Sequence, residues 1–405
     1  MTVTMRAPSA EAVVPIGPFH PLQEEPELFR LHVDGETVVD IEVEIGWNHR
    51  GIEKISEGKT FDQVTYVIER ICGICSTSHP IAYVQAVEDI GGVEVPERAL
   101  YIRSVVGELE RLHSHLLWVG LAGHFLGYNT VFMWAWKYRE PLLDILEELT
   151  GNRNHYAMMI PGGVRRDIRN ESIPKVREML DAMAPKLEML AGAIIDDPVL
   201  HARLKGVGVL SKEDCKAYGA LGPTSRGSGV PGDIRRDHPY AAYGLVDWDV
   251  ITQESGDAYG KGVVRVLECF ESIKIIRGCL DRLEQMPEGE IDANIKEVPP
   301  GEGIGHHEAP RGETFHYVRS DGTNRPIRHK VRAPTFMNLW TCKETIIGES
   351  ITDATIVLAA IDPCYCCTER MGVYDADNGK RLYDGRELIR LSRQKTERLR
   401  KELGV

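Results

Sequence analysis

Two Cys-x-x-Cys pairs stand near opposite ends of this chain, in Arg70-Ile71-Cys72-Gly73-Ile74-Cys75 and in Asp362-Pro363-Cys364-Tyr365-Cys366-Cys367-Thr368-Glu369-Arg370. Each pair can offer two thiolates to one soft metal centre. If both serve one site, four sulfurs from distant parts of the polypeptide must converge on a single pocket. On spacing alone such pairs most often mean structural zinc, with iron–sulfur and other thiolate sites as the remaining readings. Cys366 falls outside the Cys-x-x-Cys register and reads as a buried neutral thiol. Cys215, Cys269, Cys279 and Cys342 are isolated in the sequence and read as small apolar packing residues.

The compartment bears on how nine cysteines are used. The N-terminus carries Glu11 and several prolines but no apolar core of a secretory signal. The expectation is therefore a reducing, cytoplasmic setting, where thiols serve metals more often than disulfides. A net charge of −13 makes nucleic acid a poor partner. The longest apolar runs, such as Ala354 to Ile361, are too short to cross a bilayer, so membrane attachment must come through other subunits.

The pattern along the chain predicts a mainly α fold. Leu28 to Val33 and Thr37 to Ile45 flank Asp34-Gly35, a hairpin signal, and Val39, Ile41, Val43 and Ile45 alternate with polar residues as a half-buried strand does. Val105, Leu109, Leu112 and Leu116 form one apolar stripe on a long helix. Further helices are expected over Phe132–Glu148, Pro174–Ile194 and Ala258–Gln285, joined by Gly/Pro-rich connections that include Pro299 to Gly305. The expected layout is one domain over 1–370: a β-hairpin at 28–45, a helical core at about 60–290, and a partly β C-terminal part at about 300–370. Residues 371–405 form an extension with a basic amphipathic helix candidate from Gly385 to Leu403.

The residues around the cysteines change the ranking of the metal readings. Arg-Ile-Cys-Gly-Ile-Cys followed by His79, and Asp-Pro-Cys-x-x-Cys followed by Arg370, resemble the two signature motifs of the [NiFe] hydrogenase large subunit. His49-Arg50-Gly51-Ile52-Glu53-Lys54, Gly162 to Asp167, Glu308-Ala309-Pro310-Arg311-Gly312-Glu313 and Arg332-Ala333-Pro334-Thr335 follow in the family's order. Gly17-Pro18-Phe19-His20-Pro21 and Glu108 to Leu117 are similar to segments of the hydrogenase-like core subunit of respiratory complex I. The resemblance runs from about Gly17 to Arg370 and points to the membrane-bound, energy-converting hydrogenases.

That resemblance implies a multi-helix [NiFe] hydrogenase large-subunit-like fold and a set of roles. Cys72 and Cys364 would be terminal ligands to Ni; Cys75 and Cys367 would bridge it to an Fe carrying CO and cyanide. Arg311 would hang over the open metal face. His79 would hydrogen-bond a cysteine sulfur, with Asp362, Pro334 and Thr335 supporting the ligands. For the proton, Glu53 is the first candidate and Glu25 the rival. His306 and His307 could line the site, although solvated loop histidines are the duller reading; His113 and His115 face different ways on a helix. The implied partners are an iron–sulfur small subunit, since this chain has no cluster of its own, integral-membrane ion-translocating subunits that hold it on the inner face of the cell membrane, ferredoxin indirectly, and a maturation endopeptidase cutting between Arg370 and Met371. Rival readings are a complex I-like quinone- or sulfur-reducing core subunit and a structural zinc protein.

Overall fold

A computed structural model describes residues 12–21, 23–368, 373–375, 378–383 and 385–404. The alternation read at 28–45 forms strands β2 (Leu28–Asp34) and β3 (Thr37–Glu44), antiparallel as expected. The hairpin is not alone. A further strand, β1 (Ala12–Ile16), pairs with β2 in the register Ala12 to Val33 and Ile16 to Phe29. Pro15 obscures this strand in the sequence, and is tolerated because β1 is an edge and needs fewer ladder donors. The inner face of the sheet, Phe29, Leu31 and Val38, is fully buried against Ile361 and Tyr365. The N-terminal sheet thus backs the second cysteine loop.

Six helices follow: α1 (Ile52–Ser56), α2 (Phe61–Ile68), α3 (Ser78–Gly91), α4 (Glu97–Phe125), α5 (Asn129–Thr150) and α6 (Ile173–Ile195). The expected long helix Ala258–Gln285 packs along α4, as α5 does on another side. Thr60 and Gln63 close a capping box that starts α2 shortly before the first cysteine loop.

Helix α4 departs from the single-stripe expectation. Val105, Leu109, Leu112 and Leu116 are buried, but so are Arg98, Arg103, Glu108, Glu110, Arg111, His113 and His115 on its other faces. A helix enclosed on all sides can carry charge only where each charge meets a partner. Glu108 accepts from Arg111 at 3.1 Å and Arg235 at 3.0 Å, and Arg226 reaches Glu268 and Glu308 at 2.8 Å each and Asp233 at 3.3 Å. Burial alone would raise the Glu108 pKa, but Arg111 and Arg235 outweigh it and hold the carboxyl near 2. This network ties α4, the 222–237 segment, the Ala258–Gln285 helix and Glu308 into one body. Arg226→Met would strand three buried carboxylates. Its expected cost is about 3–5 kcal/mol in denaturant unfolding, and a loss under 1 kcal/mol would show that the network contributes little.

The C-terminal third is more regular than its composition suggested. Strands Pro300–Ala309, Gly312–Asp321 and Pro326–Arg332 form an antiparallel sheet in that order. The stretch expected as a Gly/Pro connection at 299–305 is the start of the first strand. Its glycines serve packing: a Cβ on Gly303 would lie 2.0 Å from the Ala86 carbonyl oxygen, and one on Gly305 2.1 Å from that of Ala82. The strand therefore lies backbone-close on α3, a use of glycine indistinguishable from a loop in sequence. The helix Gly385–Leu403 is present as expected, whereas Arg370 and Met371 lie outside the described residues. Among the described residues no helix is long and apolar enough to cross a membrane.

Candidate metal centre

The first cysteine loop is held from both sides. After α2 the chain makes a tight turn at Glu69–Ile71, becomes extended at Cys72 and enters α3 at Ser78. The Cys75 amide donates to Cys72 Sγ at 3.4 Å. Glu110 of α4 accepts from the amides of Thr77 and Ser78, the latter at 3.0 Å, and from Ser78 Oγ at 2.5 Å. Burial pushes this carboxyl up to about 8 despite those donors. A folded-state pKa above the unfolded value means that stability is fully present at acid pH and lost as pH rises through about 8. Glu110→Gln is expected to flatten the fall in melting temperature between pH 5 and 8.5; an unchanged slope would remove Glu110 as its source.

The second loop follows the Ile351–Ala360 helix. Asp362 adopts φ +53°, uncommon for a residue with a side chain, and turns the chain inward. Thr335, next to Pro334 at the start of the short helix Pro334–Asn338, accepts from the Cys364 amide at 3.1 Å. Tyr365–Cys367 then closes a single tight turn. Arg50 bridges the two loops, donating to the carbonyls of Arg70 (2.7 Å), Ile71 (2.8 Å) and Cys366 (3.3 Å).

The two loops bring their sulfurs together. Cys364 Sγ lies 3.0 Å from Cys72 Sγ, 2.8 Å from Cys367 Sγ and 3.6 Å from Cys366 Sγ, and all nine cysteines are free. Cys72, Cys364, Cys366 and Cys367 place their sulfurs within 4.8 Å of one another, all buried. Hydrogen bonds from Cys364 and the other thiols hold Cys72 well below the usual thiol range. A water-poor pocket with this many soft donors suits a thiophilic metal ion and not magnesium or calcium. Cys366, expected as a bystander, is inside the group because the tight turn swings its thiol inward.

Arg311 reaches the pocket from the other side. Its Nε donates to the Asp362 carbonyl and Nη2 to Asp362 Oδ1, each at 2.7 Å; Nη1 lies 3.2 Å from Ser114 Oγ and 3.7 Å from Cys75 Sγ. A second fully buried arginine, Arg265, stacks over the Trp118 ring at 4.5 Å, with Nε 3.7 Å from Asp362 Oδ2.

His79 Nε2 is 3.5 Å from Cys367 Sγ, and behind it stand two histidines that the motifs did not single out. His79 Nδ1 meets His316 Nε2 at 3.1 Å, and His316 Nδ1 meets His329 Nε2 at 2.9 Å. Burial lowers all three pKa values, to about 4 for His79 and His329, so the imidazoles are neutral. A neutral ring donates through one nitrogen and accepts through the other. If His79 Nε2–H points at the Cys367 sulfur, every tautomer down the line is set, ending at the unpartnered His329 Nδ1.

The two glutamates lie in different surroundings. Both carboxylate oxygens of Glu53 are engaged by the C-terminal sheet, one by Lys330 Nζ and the other by the Val331 amide at 3.1 Å. Glu25 instead takes the Cys366 amide and the Cys366 thiol, each at 2.7 Å. Burial, then the negative charge on Cys72, raise its pKa against those two hydrogen bonds. Glu24 beside it is pushed up to about 7 by burial and by Asp362. It lines a cavity of about 30 Å³ with Gln23, Trp118, Asp362 and Tyr365. His306 and His307 sit on a strand and not in a solvated loop: His307 is buried against the Tyr240 hydroxyl (2.9 Å) and His306 pairs with His238 (3.1 Å). His113 and His115 do face different ways, toward Tyr156 and Glu268. Ser114, Glu110, His316 and His329 carried no local signal, because their relation to the cysteines exists only across the fold.

Two family profiles match the chain. Residues 126–298 and 294–370 match "Respiratory-chain NADH dehydrogenase, 49 Kd subunit", and residues 50–121 match "Nickel-dependent hydrogenase". The membrane-bound hydrogenase subunit alpha of Pyrococcus furiosus is 41% identical over 95% of this chain and 93% of its own length. The carbon monoxide-induced hydrogenase of Rhodospirillum rubrum is 39% identical over 88% of this chain and 99% of its own. A chain in the membrane-bound sulfane sulfur reductase, an archaeal respiratory membrane complex, superposes with a TM-score of 0.84 at 32% identity, covering 89% of this chain and 98% of that one. The chain belongs to the family that unites the large subunits of nickel-dependent hydrogenases with the 49 Kd subunit of respiratory-chain NADH dehydrogenase, as a member whose buried cysteine cluster can hold a metal ion.

Proposed function

We propose that the chain is the catalytic subunit of a membrane-anchored hydrogenase, interconverting H2 with protons and electrons at a nickel–iron site held by Cys72, Cys75, Cys364 and Cys367. The observation that carries this reading is the meeting of both cysteine loops in one buried pocket, with a guanidinium on one side and a carboxyl on the other. When bound, a nickel–iron centre with CO and cyanide on the iron supplies the electron acceptor that allows H2 to be split unevenly.

The remaining roles fall to the protein. Arg311 presents a fixed positive charge beside Cys75, and Asp362 holds its fork in place through two hydrogen bonds. His79 Nε2 lies 3.5 Å from Cys367 Sγ, and in the tautomer that carries its proton there it would lower that sulfur's basicity. Glu25 sits where it can take or return a proton at the Cys366 thiol, and burial keeps its carboxyl easy to protonate. The small cavity between Glu24 and Asp362 has room for a water. Cys215, Cys269, Cys279 and Cys342 stand outside the cluster, so electrons need an iron–sulfur small subunit and, beyond it, a carrier such as ferredoxin. Integral-membrane subunits would anchor the assembly and couple it to ion movement. Cleavage at Arg370–Met371 belongs to the same reading, and the intact mass of metal-loaded protein decides it.

A second reading has its own support. A sulfane sulfur reductase chain superposes over nearly its whole length, and the NADH dehydrogenase profile spans more of this chain than the hydrogenase one. On that reading the same core reduces sulfur or a quinone. Purified complex should contain nickel and iron, show infrared bands of CO and cyanide, and exchange H2 with D2. Nickel and iron without exchange would favour the sulfur or quinone reading; zinc alone would reject both.

A further inference from the structure

Away from the cysteine pocket, two further metal-ligating side chains face each other near the surface. His238 follows the short helix Ile234–Asp237, and His306 lies on strand Pro300–Ala309. The fold closes 68 residues of chain to bring His238 Nδ1 within 3.1 Å of His306 Nε2. Two nitrogens bound about 2.0–2.1 Å from one ion, at angles between square and tetrahedral, stand roughly 2.8–3.4 Å apart. The observed separation falls inside that range. An N–H···N hydrogen bond spans the same distance, so an ion can replace the shared proton with little movement.

Both rings are fixed before any ion arrives. Pro239 disfavours helical backbone at His238, which adopts φ −142°. Gln85 of α3 donates to the His306 carbonyl at 3.0 Å, and the buried Tyr240 packs its ring against that of His306 at 5.5 Å. The two imidazoles stand at 83° to one another. The pair opens outward, His238 being exposed and His306 half-buried. Burial, then His238 beside it, lower the His306 pKa, so at neutral pH this ring is neutral and offers a lone pair. The negative charge of Glu313 reaches the same ring and favours a cation there.

We propose that His238 and His306 bind one borderline divalent ion, of the zinc or nickel class, and so tie the 233–240 segment to the C-terminal sheet. Imidazole suits these ions, and water fills the remaining positions. Binding moves the proton between the rings to an outer nitrogen, and no electron changes hands. Asp233 and Arg235 of the same segment belong to the buried network with Arg226 and Glu108, so the ion braces that network from the surface. The assignment uses no thiol and no hydrogen chemistry, so it can fail or hold independently of the proposed function.

The test is equilibrium dialysis of the full-length, reduced chain against zinc. Wild type should bind one equivalent more than the His238→Ala, His306→Ala double variant; whatever the cysteines take is the same in both. Each single variant should hold that equivalent at least about tenfold more weakly. His238 is exposed, so His238→Ala probes the pair without touching the core, and circular dichroism checks the folding of each variant. Anomalous scattering from zinc-soaked crystals should place an ion about 2.1 Å from both nitrogens. Equal zinc binding in wild type and folded His238→Ala would overturn the assignment, as would crystals in which the two nitrogens stay in contact with no ion between them.

Discussion

Glu25→Gln is expected to lower H2/D2 exchange by about 10²–10⁴-fold, the range over which a positioned acid–base group contributes, while leaving nickel and iron content unchanged. The amide keeps the shape of the carboxyl and can still accept from the Cys366 backbone, but it cannot carry a proton away from the Cys366 thiol. The pH dependence distinguishes this from a structural effect. Burial and the Cys72 charge raise the wild-type carboxyl above the usual range, so the exchange profile should bend as that group titrates, and the bend should vanish in the variant. Glu53→Gln is the control. Its carboxylate is bound to Lys330 and Val331 at the partly exposed edge of the C-terminal sheet, so the expected loss is under about 1 kcal/mol of stability with exchange retained. The opposite pattern, exchange lost in Glu53→Gln and kept in Glu25→Gln, would return the proton to the Arg-Gly-x-Glu element.

Arg311→Lys keeps the charge and loses the geometry. Four contacts meet on one guanidinium: the carbonyl and carboxylate of Asp362, the Ser114 hydroxyl and the Cys75 sulfur. An ammonium on a flexible stem cannot hold all of them at once. The expected result is a loss of about 10²–10³-fold in exchange, the scale of removing one preorganised donor. A stability cost of about 3 kcal/mol should accompany it, because Asp362 is left partly unpaired in a buried site. The two effects separate by experiment. If stability falls and exchange per bound nickel stays within tenfold, Arg311 serves the Asp362 turn and not the reacting face.

Several features were legible in the chain itself. The four signature cysteines and their neighbours name the family, because ligand spacing is a covalent property that survives without the fold. The long helix at Ala258–Gln285 and the β2–β3 hairpin were equally readable, since each repeats its apolar positions at the period of its own backbone. The burial of α4 on every face was not, because its charges look like a solvated surface until Arg226, Arg235, Glu268 and Glu308 arrive from elsewhere to neutralise them. Nor was the strand at Pro300–Ala309, whose glycines report contact with α3 and not local flexibility.

The same division runs through the site. Covalent order determined which residues could supply sulfur, and placed His79 and Arg311 within motifs that already implied a role beside it. Only the folded chain decided that Glu25 accepts from the Cys366 thiol, that His316 and His329 stand in line behind His79, and that Cys366 turns into the pocket. Hydrogen bonds and burial are set by partners brought close through packing across hundreds of residues, and no local pattern in the sequence records which partner will arrive.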